Sequence, residues 1–154
     1  MLNNPKDLKV ALKKYIEEHE AMKKDMESLR KQGVARHAKT LIESAKEVDG
    51  VHIVKAVLEV DSSSAKDIVF KVREAFDSKL VCVLGSVSGN RPQISVMLSD
   101  DMVKEGKKNA GKVIREAAQL IKGGGGGQAH YAQAGGKDAS NIDAAVDKAV
   151  ELLK

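Results

Sequence analysis

The chain is poor in cysteine and in aromatic residues, and each shortage excludes a class of protein. Cys82 is the single cysteine among 154 residues, which excludes an internal disulfide framework and a multi-cysteine zinc site. With no Trp, two Phe and two Tyr, the chain can hardly build a platform on which single-stranded bases stack. If it binds nucleic acid, it should contact the backbone and shape of a folded one. Metal-ligand spacing is also missing among the histidines, which are His19, His37, His52 and His130.

Long apolar runs are missing as well. No segment approaches the roughly 20 consecutive apolar residues of a membrane-spanning helix, and the first five residues lack the apolar core of a signal peptide. A hydrophobic content of 42% with 31% charged residues is typical of a globular chain. The net charge of +4 permits an anionic partner without requiring one. We therefore expect a cytoplasmic protein with one domain, a helical appendage and no membrane partner.

Residues 6–49 predict one long or once-broken helix. Its apolar side chains alternate spacings of three and four, as in a coiled-coil seam, and this spacing restarts one residue later after Gly33. Because so long a helix cannot bury the stripe against itself, the pattern implies a partner: the following domain, another chain or a missing part of the protein. We divide the chain into a helical segment, 1–49, and a globular domain, 50–154. The stripe before Gly33 consists of Leu8, Leu12, Tyr15, His19, Met22, Met26 and Leu29.

From residue 51 onward, the pattern alternates between strands and helices. Residues 51–60, 79–87 and 93–99 predict strands, the last two joined as a hairpin. Helices are predicted after an N-cap at Ser62–Ser64, over 107–122 and from Ile142 onward. The predicted fold class is α/β (α+β): a small mixed sheet covered by about three helices and preceded by the long N-terminal helix.

Five consecutive glycines, Gly123–Gly127, predict a loop. It is either a tight structural turn or a phosphate- or ligand-facing loop, although it lacks the Lys-Ser/Thr ending of a P-loop. His130 follows closely, where it either hydrogen-bonds an anionic or ribose group or ties the loop down. Basic residues in and around the preceding predicted helix favour an anion-binding surface over an ordinary solvated face. They are Lys104, Lys107, Lys108, Lys112, Arg115 and Lys122.

No spacing of polar residues indicates a catalytic apparatus. Asp100 and Asp101 begin a predicted helix, where their negative charges interact favourably with the helix dipole. They have no further acidic or histidine partners with which to form a two-metal centre. Cys82 has apolar neighbours and should be an inert core thiol. We therefore predict that these residues are not catalytic by themselves.

The glycine block, followed by Ala-Gln-Ala-Gly-Gly at 132–136, resembles the C-terminal domain of alanyl-tRNA synthetases, a member of the DHH-associated domain superfamily. Leu-Gly-Ser at 84–86 and Asn-Ala-Gly at 109–111 stand in the same order, so the resemblance runs from about residue 51 onward. It implies a module that binds the outer corner of folded tRNA and helps aminoacylation and editing act on the same tRNA in protein biosynthesis. It also implies a homodimer in some members, partly through the helical segment.

The resemblance places this chain in a larger ligase. The parent would supply the catalytic and editing domains as partners, with ATP, magnesium and zinc as their cofactors, while this chain would hold none. Together with the charge pattern, the resemblance predicts RNA contacts to phosphates and backbone rather than to bases. The predicted RNA-binding residues are Lys107, Lys108, Lys112, Arg115, Gly123, Gly124, Gly125, Gly126, Gly127, His130, Gln133, Gly135 and Gly136.

Two alternatives remain open. One is the substrate-binding domain of a DHH-type phosphoesterase, whose glycine motif followed by histidine is loosely similar to residues 127–130, although the Asp-His-His motif of that chemistry is absent. The other is a dimerisation module without RNA binding, built on the apolar stripe before Gly33.

Overall fold

The computed structural model describes residues 5–105 and 107–154, with five helices and six strands over those ranges. The chain divides into two compact units between Gly33 and Val34. The helices are α1 (Pro5–Glu43), α2 (Ser62–Ala75), α3 (Asp100–Lys104), α4 (Ala110–Leu120) and α5 (Ile142–Leu152). The strands are β1 (Lys46–Val48), β2 (Val51–Leu58), β3 (Leu80–Ser88), β4 (Arg91–Leu98), β5 (Gly124–Gly127) and β6 (Tyr131–Gly135).

In the unit that begins at Val34, the strands form one mixed sheet in the order β1-β2-β3-β4-β6-β5. β2 and β3 pair in parallel, and the other neighbouring pairs are antiparallel. α2 connects the two parallel strands, which need a crossover connection rather than a tight turn. The predicted α/β fold class is confirmed.

Helices pack on both faces of this sheet. Along β3, Val81 and Val83 enter the core formed with α4 and α5, whereas Cys82 and Leu84 enter the core formed with α2. All four side chains are at most 1% exposed. A strand buried on both faces has a continuous apolar run instead of an alternating one. The prediction that this strand is buried on both faces is confirmed.

The last turns of α1 also belong to the α2-side core, through the buried side chains of Val34, Ala38 and Leu41. Of the two predicted forms, one long helix or a once-broken helix, the structure has the first, because α1 continues through Gly33. The predicted helix end at residue 49 is wrong, because α1 ends at Glu43.

Residues after α1 form a hairpin instead of extending the helix. β1 pairs antiparallel with the start of β2 across Asp49 and Gly50, whose φ angles are 52° and 80°. A two-residue turn with positive φ at both positions is the type I′ turn, for which Asp-Gly is a favoured pair. This Asp-Gly pair is the sequence signal that the continuing helical spacing obscured.

Two predicted helix starts are also wrong by a few residues. α2 is capped by Asp61 rather than by a serine, since the Ser64 amide donates to Asp61 Oδ1 at 3.1 Å. α4 begins at Ala110 and not at Lys107, because Asn109 Oδ1 accepts from the Lys112 amide at 3.1 Å. Asp and Asn are among the strongest N-cap residues.

The unit that ends at Gly33 is helical from Pro5 onward. Its large apolar side chains are open to solvent, from 47% exposed at Ile16 to 71% at Met26. The helix is therefore confirmed, and a partner for the stripe stays a prediction. Over the described parts of the chain, every helix is too short or too polar to cross a membrane.

Candidate nucleic-acid interface

The predicted glycine loop is a strand, which corrects the sequence interpretation. β5 pairs antiparallel with β6, so that Gly124 lies opposite Gly135 and Gly126 lies opposite Gln133. Residues 128–130 connect the two strands, and the Gln128 amide donates to the Tyr131 carbonyl at 2.8 Å. We call β5, β6 and this connection the glycine hairpin.

Four glycines of this region are required by backbone packing. A Cβ atom on Gly123, Gly125 or Gly127 would collide with a carbonyl oxygen of the neighbouring strand, and one on Gly136 would collide with the Ile121 carbonyl. Such contacts are far inside the van der Waals distance, so the strands cannot approach this closely with any other residue. Part of the glycine run is therefore structural, as one of the two sequence interpretations proposed.

Three other glycines have no such requirement. A Cβ on Gly124 would meet no atom within 4 Å, and the nearest atom to one on Gly126 or Gly135 would lie at 3.9 Å. The register places these three residues on the same face of the hairpin, because Gly124 and Gly126 alternate with the packed glycines of β5. These three positions therefore carry no side chain although the packing around them would tolerate one, while Gln133 lies opposite Gly126 on the same face.

A polar and aromatic group lies next to this open face. The Tyr131 hydroxyl donates to Gln133 Oε1 at 2.9 Å, and Gln93 Nε2 donates to the same oxygen at 3.0 Å. Burial raises the pKa of Tyr131. The Tyr131 ring packs against Phe70 of α2 with centroids 5.1 Å apart. Sequence reasoning missed this pair, because the two aromatics are 61 positions apart and meet only where α2 packs on the sheet.

The predicted basic residues lie along one side of the hairpin, and Lys107, Lys108, Lys112 and Arg115 are together called the α4 patch. The Ala110 amide donates to the Ala129 carbonyl at 2.8 Å, so the start of α4 lies beside the turn that carries His130. His130 is exposed there.

Within the α4 patch, the lysines and the arginine have different surroundings. Arg115 is the cation nearest Gly126, with its Nε and Nη2 atoms each 3.9 Å from the Cβ position. Lys108 Nζ donates to the Lys154 carbonyl at 3.2 Å. The three lysines line a shallow pocket that Glu116 also borders. The structure thus brings Arg115 to Gly126 and places the lysines beside the end of α5, where Leu152 and Leu153 line the same pocket.

A second group of cations lies at the opposite end of β5. Arg91, Lys122 and Lys137 line a cavity of about 550 Å³ together with Gly124 and Gly135. We call it the glycine cavity. In the sequence, Lys122 stands out only as part of a basic run, and Arg91 and Lys137 do not stand out. The available signal was weak: Arg91 follows the Gly-Asn turn of the β3–β4 hairpin, and Lys137 directly follows the Gly-Gly pair.

The contacts of Asp101 and the burial of Cys82 are both explained by the fold itself. Asp101 accepts from the Lys79 amide at 2.9 Å, which ties α3 to the start of β3. The Ser99 hydroxyl and the Lys79 amide hold the pKa of the Asp101 carboxyl below its ordinary value. Cys82 is fully buried, and burial raises its pKa to about 12, which matches the predicted core thiol. Within the described ranges, no three His, Cys, Asp or Glu side chains are grouped so that they could hold a metal ion.

The fold and this surface define a class of protein: a domain with helices on both faces of a mixed sheet and a glycine hairpin at the sheet edge. The chain belongs to the DHHA1 domain family, whose model matches residues 38–154.

Within that family, the chain is similar to parts of alanine–tRNA ligases. It is 41% identical over 152 residues to the Alanine--tRNA ligase of Bacteroides fragilis and 40% identical over 152 residues to that of Bacteroides thetaiotaomicron. Each match covers 99% of this chain but 17% of the relative.

The solved structures agree with this family. The C-Ala domain of Aquifex aeolicus alanyl-tRNA synthetase has 30% identity and a TM-score of 0.62, covering 71% of this chain and 97% of that domain. The resemblance to the C-terminal domain of alanyl-tRNA synthetases is therefore confirmed. A DHH-domain protein described as a member of a family of ribosomal proteins has 14% identity and a TM-score of 0.52, which is a likeness of fold alone.

Proposed function

We propose that this chain is the tRNA-binding C-terminal domain of an alanine–tRNA ligase and binds the outer corner of folded tRNA. In this proposal, aminoacylation and editing belong to other parts of the ligase, which would use ATP, magnesium and zinc. This chain would keep one tRNA bound while both sites act on it. Its similarity to alanine–tRNA ligases over nearly its whole length supports this context.

The observation that most directly supports the proposed RNA binding is the position of Arg115 beside the open backbone of Gly126. A surface without side chains lets a sugar-phosphate backbone approach closely, and a guanidinium next to it can donate paired hydrogen bonds to a phosphate. The lysines of the α4 patch extend the positive surface toward the end of α5. Such contacts hold a folded RNA without reading its sequence.

Neutralising Lys108, Lys112 and Arg115 together to Gln tests this surface. We expect weaker binding to folded tRNA. The slope of log binding constant against log salt concentration should become shallower by about two to three, because each lost phosphate contact removes close to one from that slope. A matched control changes Lys39, Lys46 and Lys148 to Gln, which removes the same charge from other parts of the same unit. Binding would be measured by fluorescence anisotropy at several salt concentrations, beside an unstructured RNA of equal length.

Either of two results would contradict the proposal. One is equal affinity for the folded and the unstructured RNA. The other is a loss of tRNA affinity in the α4-patch variant no larger than in the control variant.

We further propose that the exposed apolar stripe before Gly33 joins two copies of the chain. Six large apolar side chains of the predicted seam are more than half exposed: Leu8, Leu12, Tyr15, Met22, Met26 and Leu29. Changing Leu12 and Met22 to Lys should abolish self-association, which sedimentation across a range of concentrations would measure. Changing the already polar positions Lys13 and Lys23 to Gln is the control. A wild-type chain that stays monomeric at every concentration would disprove the dimer.

A further inference from the structure

From the glycine cavity we infer a binding site for a phosphate group, separate from the α4 patch. Three cations from three different segments converge on it: Arg91 at the start of β4, Lys122 after α4 and Lys137 after β6. The lining also contains one carboxylate, that of Asp61, so the formal charge of the lining is positive. Asp138 lies near Lys122 outside the lining, and its own hydrogen bonds are to Ser140 and Asn141.

The position of the cavity in the sheet favours an anion. It lies at the carboxyl ends of the parallel strands β2 and β3, which is where open α/β sheets bind ligands. The first residue of α2, Ser62, is part of the lining, so the positive end of that helix dipole faces the same space. The Ser86 and Ser88 hydroxyls add neutral groups that can donate to phosphate oxygens.

The glycines explain how the cavity stays open. Gly124 and Gly135 face each other across the hairpin and both border the cavity. A Cβ atom on either would meet no protein atom closer than 3.9 Å. Protein packing therefore does not require glycine at these positions, and a larger residue would occupy the cavity. A phosphate with its attached sugar needs that space.

Backbone amides contribute little to the proposed contact. The Gly123 amide donates to Ala118, the Gly136 amide to Pro92 and the Lys137 amide to Ile121, all at 2.8–3.0 Å. Recognition would therefore use the cationic side chains and hydroxyls, unlike a P-loop, in which main-chain amides surround the phosphate.

The experiment is a titration of the whole chain with inorganic phosphate, followed by two-dimensional amide NMR at constant ionic strength. We expect saturable shifts of the Gly124, Gly135 and Lys137 amides. The triple variant Arg91→Gln, Lys122→Gln, Lys137→Gln should weaken binding by at least about tenfold, since it removes charge-assisted hydrogen bonds. The control variant with Lys39, Lys46 and Lys148 changed to Gln should stay within about twofold of wild type.

Two further variants test whether phosphate binding depends on the charge of the cavity lining and on the open space beside the glycines. Asp61→Asn keeps an N-cap residue and removes the carboxylate, so it should strengthen phosphate binding. Gly124→Val keeps every charge and fills the cavity, so it should weaken binding in a chain that still folds. Shifts that do not saturate, or an unchanged affinity in the triple variant, would overturn the site. An unchanged affinity in Gly124→Val would overturn the role of the open glycines.

The source of the phosphate is tested by competition. If folded tRNA displaces inorganic phosphate from the cavity, the group is a phosphate of the RNA. If tRNA and inorganic phosphate bind at the same time, and AMP displaces the phosphate, the site binds the phosphate group of a free nucleotide. Phosphate binding does not depend on the proposed function, because it would persist in the α4-patch variant and even if tRNA failed to bind.

Discussion

Among single residues, the seven glycines at 123–127, 135 and 136 are chemically identical but differ in what surrounds them. Four of them lie against a neighbouring backbone, and the remaining three border open space. From the sequence the run is uniform, so a structural turn and a ligand-facing loop were equally plausible interpretations. The structure supports a packing role for four of these glycines and shows no packing requirement for the other three.

A pair of alanine substitutions separates the two groups. Gly125→Ala should lower the free energy of unfolding by about 2–4 kcal/mol, because its Cβ would collide with Gln133 and Ala134 of β6. Gly124→Ala should change it by less than about 1 kcal/mol, since its Cβ has free space and alanine restricts the unfolded chain. Urea denaturation of both variants measures the difference. Equal losses would mean that the strand spacing relaxes around either side chain.

The thiol of Cys82 should be inert in the folded chain. Burial raises its pKa to about 12, so the reactive thiolate is scarce at neutral pH. An alkylating reagent at pH 8 should modify Cys82 only after unfolding in urea. Rapid modification under native conditions would contradict the burial of β3 between its two cores.

The same thiol predicts how stability depends on pH. Because the folded pKa is raised above the unfolded value, its contribution is complete at neutral pH and is lost as pH rises toward 12. In that range, the wild type should lose up to about 1.4 kcal/mol per pH unit more than Cys82→Ala. Unfolding free energies of both chains between pH 8 and 11 measure this difference. Parallel curves would show that the thiol does not titrate differently in the two states.

At the scale of elements, the starts of α2 and α4 are features that the sequence patterns did not locate correctly. Asp61 accepts the amide of Ser64 and caps α2, although three serines follow it. Asp61→Ala should therefore lower the free energy of unfolding by about 1 kcal/mol, whereas Ser62→Ala should have little effect. Thermal unfolding of both variants distinguishes the two caps. A larger loss at Ser62 would restore the serine cap that the sequence suggested.

How much of these elements could be predicted depends on the range of the interactions that form them. The buried run of β3 and the spacing of α2, α4 and α5 are local patterns, so the central fold was predictable from them. The end of α1 was not, because β1 exists only through its pairing with β2 across Asp49 and Gly50. The strand character of β5 was equally hidden, since glycine has low strand propensity and pairing with β6 determines its conformation. The glycine cavity joins residues from β4, α4 and β6, and no short motif contains them.

For the whole molecule, α1 contributes residues to both compact units. The predicted boundary at residues 49 and 50 lies after this helix, whereas the compact units divide between Gly33 and Val34 and the family match begins at residue 38. The end of α1 contributes three buried side chains to the core, so part of the predicted helical segment packs within the second unit.

Two fragments test where the folded domain begins. Residues 34–154 should unfold cooperatively, with stability close to that of the whole chain. Residues 50–154 lack β1, Val34 and Leu41, and should be less stable by roughly 3–6 kcal/mol from the lost burial of the two larger side chains alone. Urea denaturation monitored by circular dichroism measures both. Equal stability of the two fragments would place the boundary at residue 49 after all.

The absence of side chains on β5 also affects how the strand finds its alignment with β6. In most sheets, a shift along the partner strand is opposed because large side chains would enter the wrong pockets. Every position of β5 is glycine, so after a slip by two residues glycines still lie opposite part of β6, and no side chain of β5 opposes the slip. The alignment therefore depends on its two ends, where the Gly123 amide donates to Ala118 and the Gln128 amide to Tyr131. We expect the ends of this strand, rather than its interior, to determine whether the hairpin closes in one arrangement or exchanges between two.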